Sequence, residues 1–237
     1  ITFRTSVLLA LSTSIPAPEA PRRPVSRSIH GQTVVDAFCW LRAENWREVL
    51  KNPATLPAEI RSYLETENMY ADAALAGLAA LRKRLVTEMR GRIKEEDAQP
   101  PFMDGPYRYY DRYRDGGDHA IACRQPRAGG EEEILLDGDA EAAGHAFFQL
   151  GDVDHSPDHR LLAWSADTAG SEFETICIRD LRSGKDGDKV SDTTGTVVWL
   201  RDSSGFLYVR LDENHRGHRV YLHRLGTKVD EDVLLHE

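Results

Sequence analysis

The feature that most constrains the fold of this chain is a repeat in its second half. Asp158-His159-Arg160-Leu161-Leu162-Ala163-Trp164 aligns with Ser203-Ser204-Gly205-Phe206-Leu207-Tyr208-Val209 at an offset of 45, and Ile178-Arg179-Asp180-Leu181 aligns with Leu222-His223-Arg224-Leu225 at an offset of 44. Between these anchors, Asp167 and Asp212 each open the loop to the next strand. A period of ~40–45 residues carrying about four short strands is the spacing of a propeller blade. A β-sandwich also has short strands, but nothing in it requires a second copy in register.

Downstream of residue 93 the apolar pattern alternates and turn signals recur. Strands are expected over 107–113, 119–124, 133–136, 147–150, 161–165, 173–179, 197–200, 206–211, 219–224 and 233–236, with no convincing helix. These amount to about three blades, the first irregular, whereas propellers close with typically ~4–8. An open arc exposes strand edges, so the missing blades are expected from further chain or from a second copy.

Upstream, residues 1–24 are expected to form a disordered leader, with four prolines between Ser14 and Pro24. The apolar segment 7–11 behind Arg4 is too short for a secretory signal. Residues 25–92 read as a helical arm. A short helix around 46–50 is stopped by Asn52-Pro53, and a second starts near Thr55 with Pro57 in its first turn. Ile60, Leu64, Asn68, Ala71, Leu75 and Leu78 share one stripe, continued by Leu81, Leu85 and Met89 until Gly91 offers a cap. Such a stripe must be covered, either by Trp40, Trp46 and the following sheet or by a domain that this sequence lacks. The expected fold class is therefore mainly β with an α-helical N-terminal segment, the β part being a partial propeller over 93–237.

Charge narrows the partners. Residues 1–100 hold 14 Lys and Arg against 12 Asp and Glu, and residues 101–237 hold 16 against 27, so the propeller part carries a net charge of −11. Phosphate binding needs a basic stripe, so no nucleic-acid partner is expected. The acidic surface would suit a cationic ligand, although a solvated acidic face accounts for the same count. No apolar run is long enough to span a membrane as a helix. Cys39, Cys123 and Cys177 are far apart and form no CxxC pair, which points to a reducing, cytoplasmic compartment and to buried thiols rather than disulfides or a nucleophile.

The chemistry-bearing residues are sparse. An α/β-hydrolase needs a serine on a strained G-x-S-x-G elbow followed by an acid and a histidine, and the sequence contains no such pentapeptide. His155 and His159 have the i, i+4 spacing of a helical zinc pair, but Pro157 between them breaks any helix, and Ser156-Pro157-Asp158 reads as a blade turn. His215, His218 and His223 straddle a loop and a strand and are expected in surface or loop roles. Gly116-Gly117 and Gly129-Gly130 are expected in hairpin turns. Tyr107, Tyr109, Tyr110 and Tyr113 would make a base-stacking platform only on a basic surface, so strand packing is expected of them. No catalytic, cofactor-binding or metal-ligating residue is assigned, and no cofactor is expected.

From residue 24 to 237 the chain resembles the amino-terminal part of the oligopeptidase B branch of the prolyl oligopeptidase family of serine peptidases. The resemblance is carried by His30-Gly31, by Trp40-Leu41-Arg42-Ala43-Glu44-Asn45-Trp46, and by Glu88-Met89-Arg90-Gly91-Arg92-Ile93-Lys94-Glu95-Glu96-Asp97. Asp104-Gly105-Pro106-Tyr107, Ser156-Pro157-Asp158, Gly170-Ser171-Glu172-Phe173 and the run from Tyr208 to Arg216 extend it. The chain departs from the family pattern at Asp36-Ala37-Phe38 and at Arg216-Gly217, both at turns. The resemblance implies a seven-bladed propeller that screens substrates by size, paired with a C-terminal peptidase domain that cleaves short peptides after Lys or Arg. It also implies that the helical arm folds onto that peptidase domain, and that this portion alone is inactive. The alternative is a non-enzymatic propeller module that closes by self-association.

Overall fold

The computed structural model describes residues 16–237. The expected leader thus lies outside the described residues over 1–15, as does the apolar segment 7–11, while residues 16–24 carry no regular secondary structure. The chain divides into two compact units after Ile93.

The first unit opens with an antiparallel hairpin, β1 (Val25–Ile29) and β2 (Gln32–Asp36), inside the region read from the sequence as a helical arm. Both turn residues, His30 and Gly31, have positive φ (52° and 78°), the requirement of a tight type I′ connection. Every residue of the two strands is exposed, so no alternation of buried and exposed positions marked them in the sequence. Three helices follow: α1 (Trp46–Lys51), α2 (Ala58–Leu75) and α3 (Ala79–Arg90). Asn52 ends α1 in an extended conformation, as a residue before proline prefers, and its side chain accepts from the Ala54 amide. Ile60 is buried, and Trp40 meets the Tyr63 ring edge-on at 5.8 Å with the Arg23 guanidinium 4.7 Å over its face. Beyond Ile60 the stripe is uncovered within this unit: Leu64, Leu75, Leu81, Leu85 and Met89 are all exposed.

The second unit is antiparallel throughout and built of strands that neighbour one another in chain order. Blade 1 comprises β3 (Phe102–Asp104), β4 (Tyr107–Arg112), β5 (Ile121–Pro126) and β6 (Glu133–Asp137). Blade 2 is β7 (Gln149–His155), β8 (Leu161–Asp167), β9 (Glu174–Asp180) and the first part of β10 (Lys185–Trp199). Blade 3 takes the rest of β10 with β11 (Gly205–Leu211), β12 (Gly217–Arg224) and β13 (Val233–His236). The 15-residue β10 pairs with β9 as far as Thr193 and with β11 from Thr193 onward, so it passes from one blade into the next. Asp192 and Gly195, with φ of 61° and 84°, accommodate the bend.

Three pieces of this unit differ from what the sequence predicts. β3 has only three residues, all exposed. The early part of β10, Lys185 to Lys189, is polar and presents no buried position before Val190. A short helix, α4 (Gly138–Ala142), caps itself through Asp137, whose carboxylate accepts from the Ala140 amide at 3.3 Å.

The repeat is real, but its register in the strands is 44 throughout. Trp164 pairs with Cys177, and Tyr208, 44 residues on, pairs with Tyr221, itself 44 beyond Cys177. Burial enforces this: the fully buried Phe206 corresponds to the fully buried Leu162, whereas an offset of 45 would match it to the half-buried Leu161. A one-residue slip would turn every side chain of the strand to the opposite face. The offset of 45 holds at Asp167 and Asp212, past a register shift between Arg210 and Leu211. Both carboxylates close their loops by accepting backbone amides, Asp167 from Ala169, Gly170 and Glu172, and Asp212 from Asn214 and Arg216.

The core lies in the two seams between blades. Leu162, Trp164, Ala166 and Cys177 of blade 2 meet Tyr109, Ala122, Leu135 and Leu136 of blade 1. Ala163, Ile176, Ile178 and Val190, on the opposite face of blade 2, meet Val197, Phe206 and Tyr208 of blade 3. Blade 2 therefore buries both faces, which explains why β8 is a nearly continuous apolar run rather than an alternating one.

Candidate functional site

The densest group of chemistry-bearing side chains lies at the seam between blades 1 and 2. β3 ends at Asp104, and Gly105, with φ of 47°, turns the chain into β4. β7 ends at His155, and the Ser156-Pro157-Asp158-His159 turn follows. Ser156 is fully buried; its hydroxyl donates to Asp158 Oδ1 at 2.6 Å and accepts from the Leu161 amide at 3.0 Å. His159 takes a left-handed conformation (φ 61°), and its amide donates to the Ser156 carbonyl at 2.8 Å. This compact turn, not a helix, brings both histidines to one side, with ring centroids 5.3 Å apart and planes 17° from parallel.

Tyr109 organises them. Its ring stacks on His155 at 3.8 Å and 8°, and its hydroxyl lies 2.8 Å from His159 Nδ1. Asp104 Oδ2 lies 2.8 Å from His155 Nε2. Asp104, His155 and His159 each present one ligand atom within 4.8 Å of the other two, the one such group of three among the described residues. The hydrogen bond from His155 holds the Asp104 carboxyl below the usual range, while burial, followed by repulsion from His155, holds the His159 imidazolium below its ordinary pKa. Burial raises the Tyr109 hydroxyl.

Arg124 locks the far side. Its guanidinium donates to both Glu133 oxygens at 2.7 and 3.0 Å and to the His159 carbonyl at 2.6 Å, and sits 4.2 Å over the Tyr107 ring. These residues, with Arg160, Asp180 and Arg182, line an open cavity of about 440 Å³.

The other residues singled out in the sequence are dispersed. His215 lies in its loop, half-buried against the Phe173 ring and 3.5 Å from Glu172, and His218 is exposed, 3.4 Å from Glu237. His223, expected in a surface or loop role, is instead fully buried in β12, with Nδ1 2.7 Å from Asp232 Oδ1; Tyr208 donates to the other oxygen of that carboxylate at 2.8 Å. The reason is tertiary: the chain returns through Asp232, nine residues on, to pair with it. Of the four tyrosines, Tyr109 is buried, Tyr107 and Tyr110 are half-buried, and Tyr113 is the most open. Gly117 and Gly129 close turns through bonds to the Arg114 and Pro126 carbonyls. Asp104 carried no signal of a site in the sequence, because its partner is 51 residues away.

Residues 18–237 match the family model of the prolyl oligopeptidase N-terminal β-propeller domain. This chain belongs to the prolyl oligopeptidase family. Among its relatives is an uncharacterized peptidase of Sinorhizobium fredii, 35% identical over 99% of this chain and 29% of the relative. Dipeptidyl aminopeptidase BI of Pseudoxanthomonas mexicana is 31% identical over 100% of this chain and 34% of its own length. Oligopeptidase B from Leishmania major superposes with a TM-score of 0.83 at 30% identity, over 94% of this chain and 33% of that structure. The chain thus spans about a third of the length of these relatives. Among the described residues, no helix is long and apolar enough to cross a membrane.

Proposed function

We propose that this chain is the helical arm (25–92) and first propeller blades (93–237) of a cytoplasmic serine oligopeptidase that cleaves short peptides after Lys or Arg, and that it hydrolyses nothing by itself. The observation that carries this reading is the likeness of the three blades to oligopeptidase B, joined to a sequence without a G-x-S-x-G elbow. The acidic balance of the propeller part favours basic peptides as the class screened. The exposed stripe of Leu64, Leu75, Leu81, Leu85 and Met89 is then the face that a peptidase domain would cover. The test pairs two proteins: the 237-residue chain, shown to be folded, and the product of the reading frame extended downstream. The reading expects no cleavage of Arg or Lys peptide esters by the first and cleavage after Arg or Lys by the second. Activity of the short chain, or an extended product that prefers another residue, overturns it.

A second reading, closure by self-association without enzymatic activity, is favoured by β13, whose Val233, Leu234 and Leu235 are exposed at the outer edge of blade 3. Light scattering after size exclusion distinguishes it: a well-folded monomer at low concentration removes it.

A further inference from the structure

We propose that His159 is a proton-operated latch on the seam between blades 1 and 2, which holds the seam closed at neutral pH and releases it in mildly acid solution. Asp104, His155 and His159 do not converge on a metal ion. The Gly105 main chain covers His159 Nε2, Tyr109 occupies Nδ1, and the stacked rings do not aim their lone pairs at a common centre. The same enclosure fits a neutral imidazole and not an imidazolium.

The Tyr109 hydroxyl, 2.8 Å from Nδ1, satisfies that nitrogen as donor or as acceptor. A second proton turns both ring nitrogens into donors. Nε2 then faces Gly105, packed so closely that a Cβ there would stand 2.2 Å from it. Aromatic rings enclose the rest: Tyr107 lies edge-on at 5.6 Å, and His155 and Tyr109 lie near-parallel at 5.3 and 6.0 Å. A charged ring held there loses hydration without gaining a full set of partners.

The nearby carboxylates are already engaged. Asp104 is bonded to His155, and both Glu133 oxygens accept from Arg124, whose guanidinium also donates to the His159 carbonyl. Asp158 accepts from the Ser156 hydroxyl and the Arg160 amide, and Asp180 from the Ser183 amide. Arg160 and Arg182 add positive charge to the same cavity lining. Burial and then His155 lower the His159 pKa; Asp104 offsets part of this, Arg124 adds to it, and Asp158 again offsets. With the seam open, the ring titrates near the usual histidine value of about 6.5. The closed form is therefore fully favoured above about pH 6.5 and loses that advantage as pH falls through the lower closed-seam value.

Two features couple the ring to the seam. Its partner Tyr109 is one of the buried residues through which blade 1 meets blade 2. Its own backbone is left-handed (φ 61°), a strained conformation that is relieved when the ring leaves.

The test is amide hydrogen exchange of the folded chain at about pH 7.5 and about pH 5.5, read by mass spectrometry and corrected for the intrinsic effect of pH. Opening of β4 and of the turn from Ser156 to Arg160 is expected to rise about threefold or more at the lower pH, with β11 of blade 3 as the internal reference. His159→Gln, which can still meet the Tyr109 hydroxyl but takes no proton, is expected to abolish the rise. His159→Asn, which suits the left-handed backbone, gives a second non-titrating variant should the first fail to fold. His218→Ala, at the surface, is expected to leave the rise intact. No acid rise in β4 and the turn, an equal rise in β11, or an undiminished rise in a folded non-titrating variant overturns the proposal.

Discussion

The amide of Asp158 donates to Ser203 Oγ at 3.1 Å, joining the first turn of blade 2 to the same turn of blade 3. Ser203 holds the left-handed position (φ 57°) that His159 holds one blade earlier (φ 61°), and each closes its turn through its own amide, to the Leu200 and Ser156 carbonyls respectively. The repeat is therefore a contact as well as a pattern: corresponding turns of successive blades touch.

Ser203→Ala is expected to lower stability by about 1 kcal/mol, the value of one intramolecular hydrogen bond. Ser203→Gly loses the same bond but relieves the left-handed backbone, so it is expected to cost less. Urea midpoints compare the two, and a glycine variant less stable than the alanine variant contradicts the assignment.

Gly205 is tolerated only as glycine. A Cβ there would stand 2.2 Å from the His223 carbonyl oxygen, which is main chain and cannot swing aside. Gly205→Ala is expected to cost about 3 kcal/mol or to prevent folding. Gly187→Ala, whose Cβ meets only the Ile178 carbonyl at 3.7 Å, is expected to be almost neutral. Thermal melts of both variants check the contrast.

The Arg112 guanidinium, then the Tyr110 hydroxyl, hold Glu132 below the usual carboxylate range. A carboxylate with its folded pKa depressed contributes stability that is present above the unfolded pKa and lost as pH falls through the folded one. Glu132→Gln is therefore expected to flatten the acid limb of the stability profile below about pH 4.5 while leaving its shape near neutrality unchanged. An acid limb as steep as that of the parent chain would count against this pair.

The two buried thiols report on the blades. Burial pushes Cys123 and Cys177 up to about 11. In the folded chain at pH 8 an alkylating reagent is expected to reach the partly exposed Cys39 first and to spare the other two until denaturant is added. Because Cys177 packs in the seam with blade 1, its rapid labelling without denaturant would mean that this seam opens.

By itself the sequence determined the elements whose signals are local. The Asn52-Pro53 stop after α1 was visible because proline constrains its own residue and the one before it. The repeat was visible because each blade must bury equivalent strands, and Asp167 and Asp212 because each loop needs an acceptor for its amides. What only the tertiary structure decided depends on residues remote in sequence. The exact register of 44 follows from burial of Leu162 and Phe206 in two different seams. The polar early part of β10, Lys185 to Lys189, is a strand because β9 supplies its hydrogen-bond partners, not because its own residues alternate between buried and exposed. His155 and His159 were legible as a pair but not as neighbours of Asp104, since an i, i+4 spacing speaks only for a helix. A left-handed turn and a strand 51 residues away do not register in local sequence, yet they bring the three side chains together.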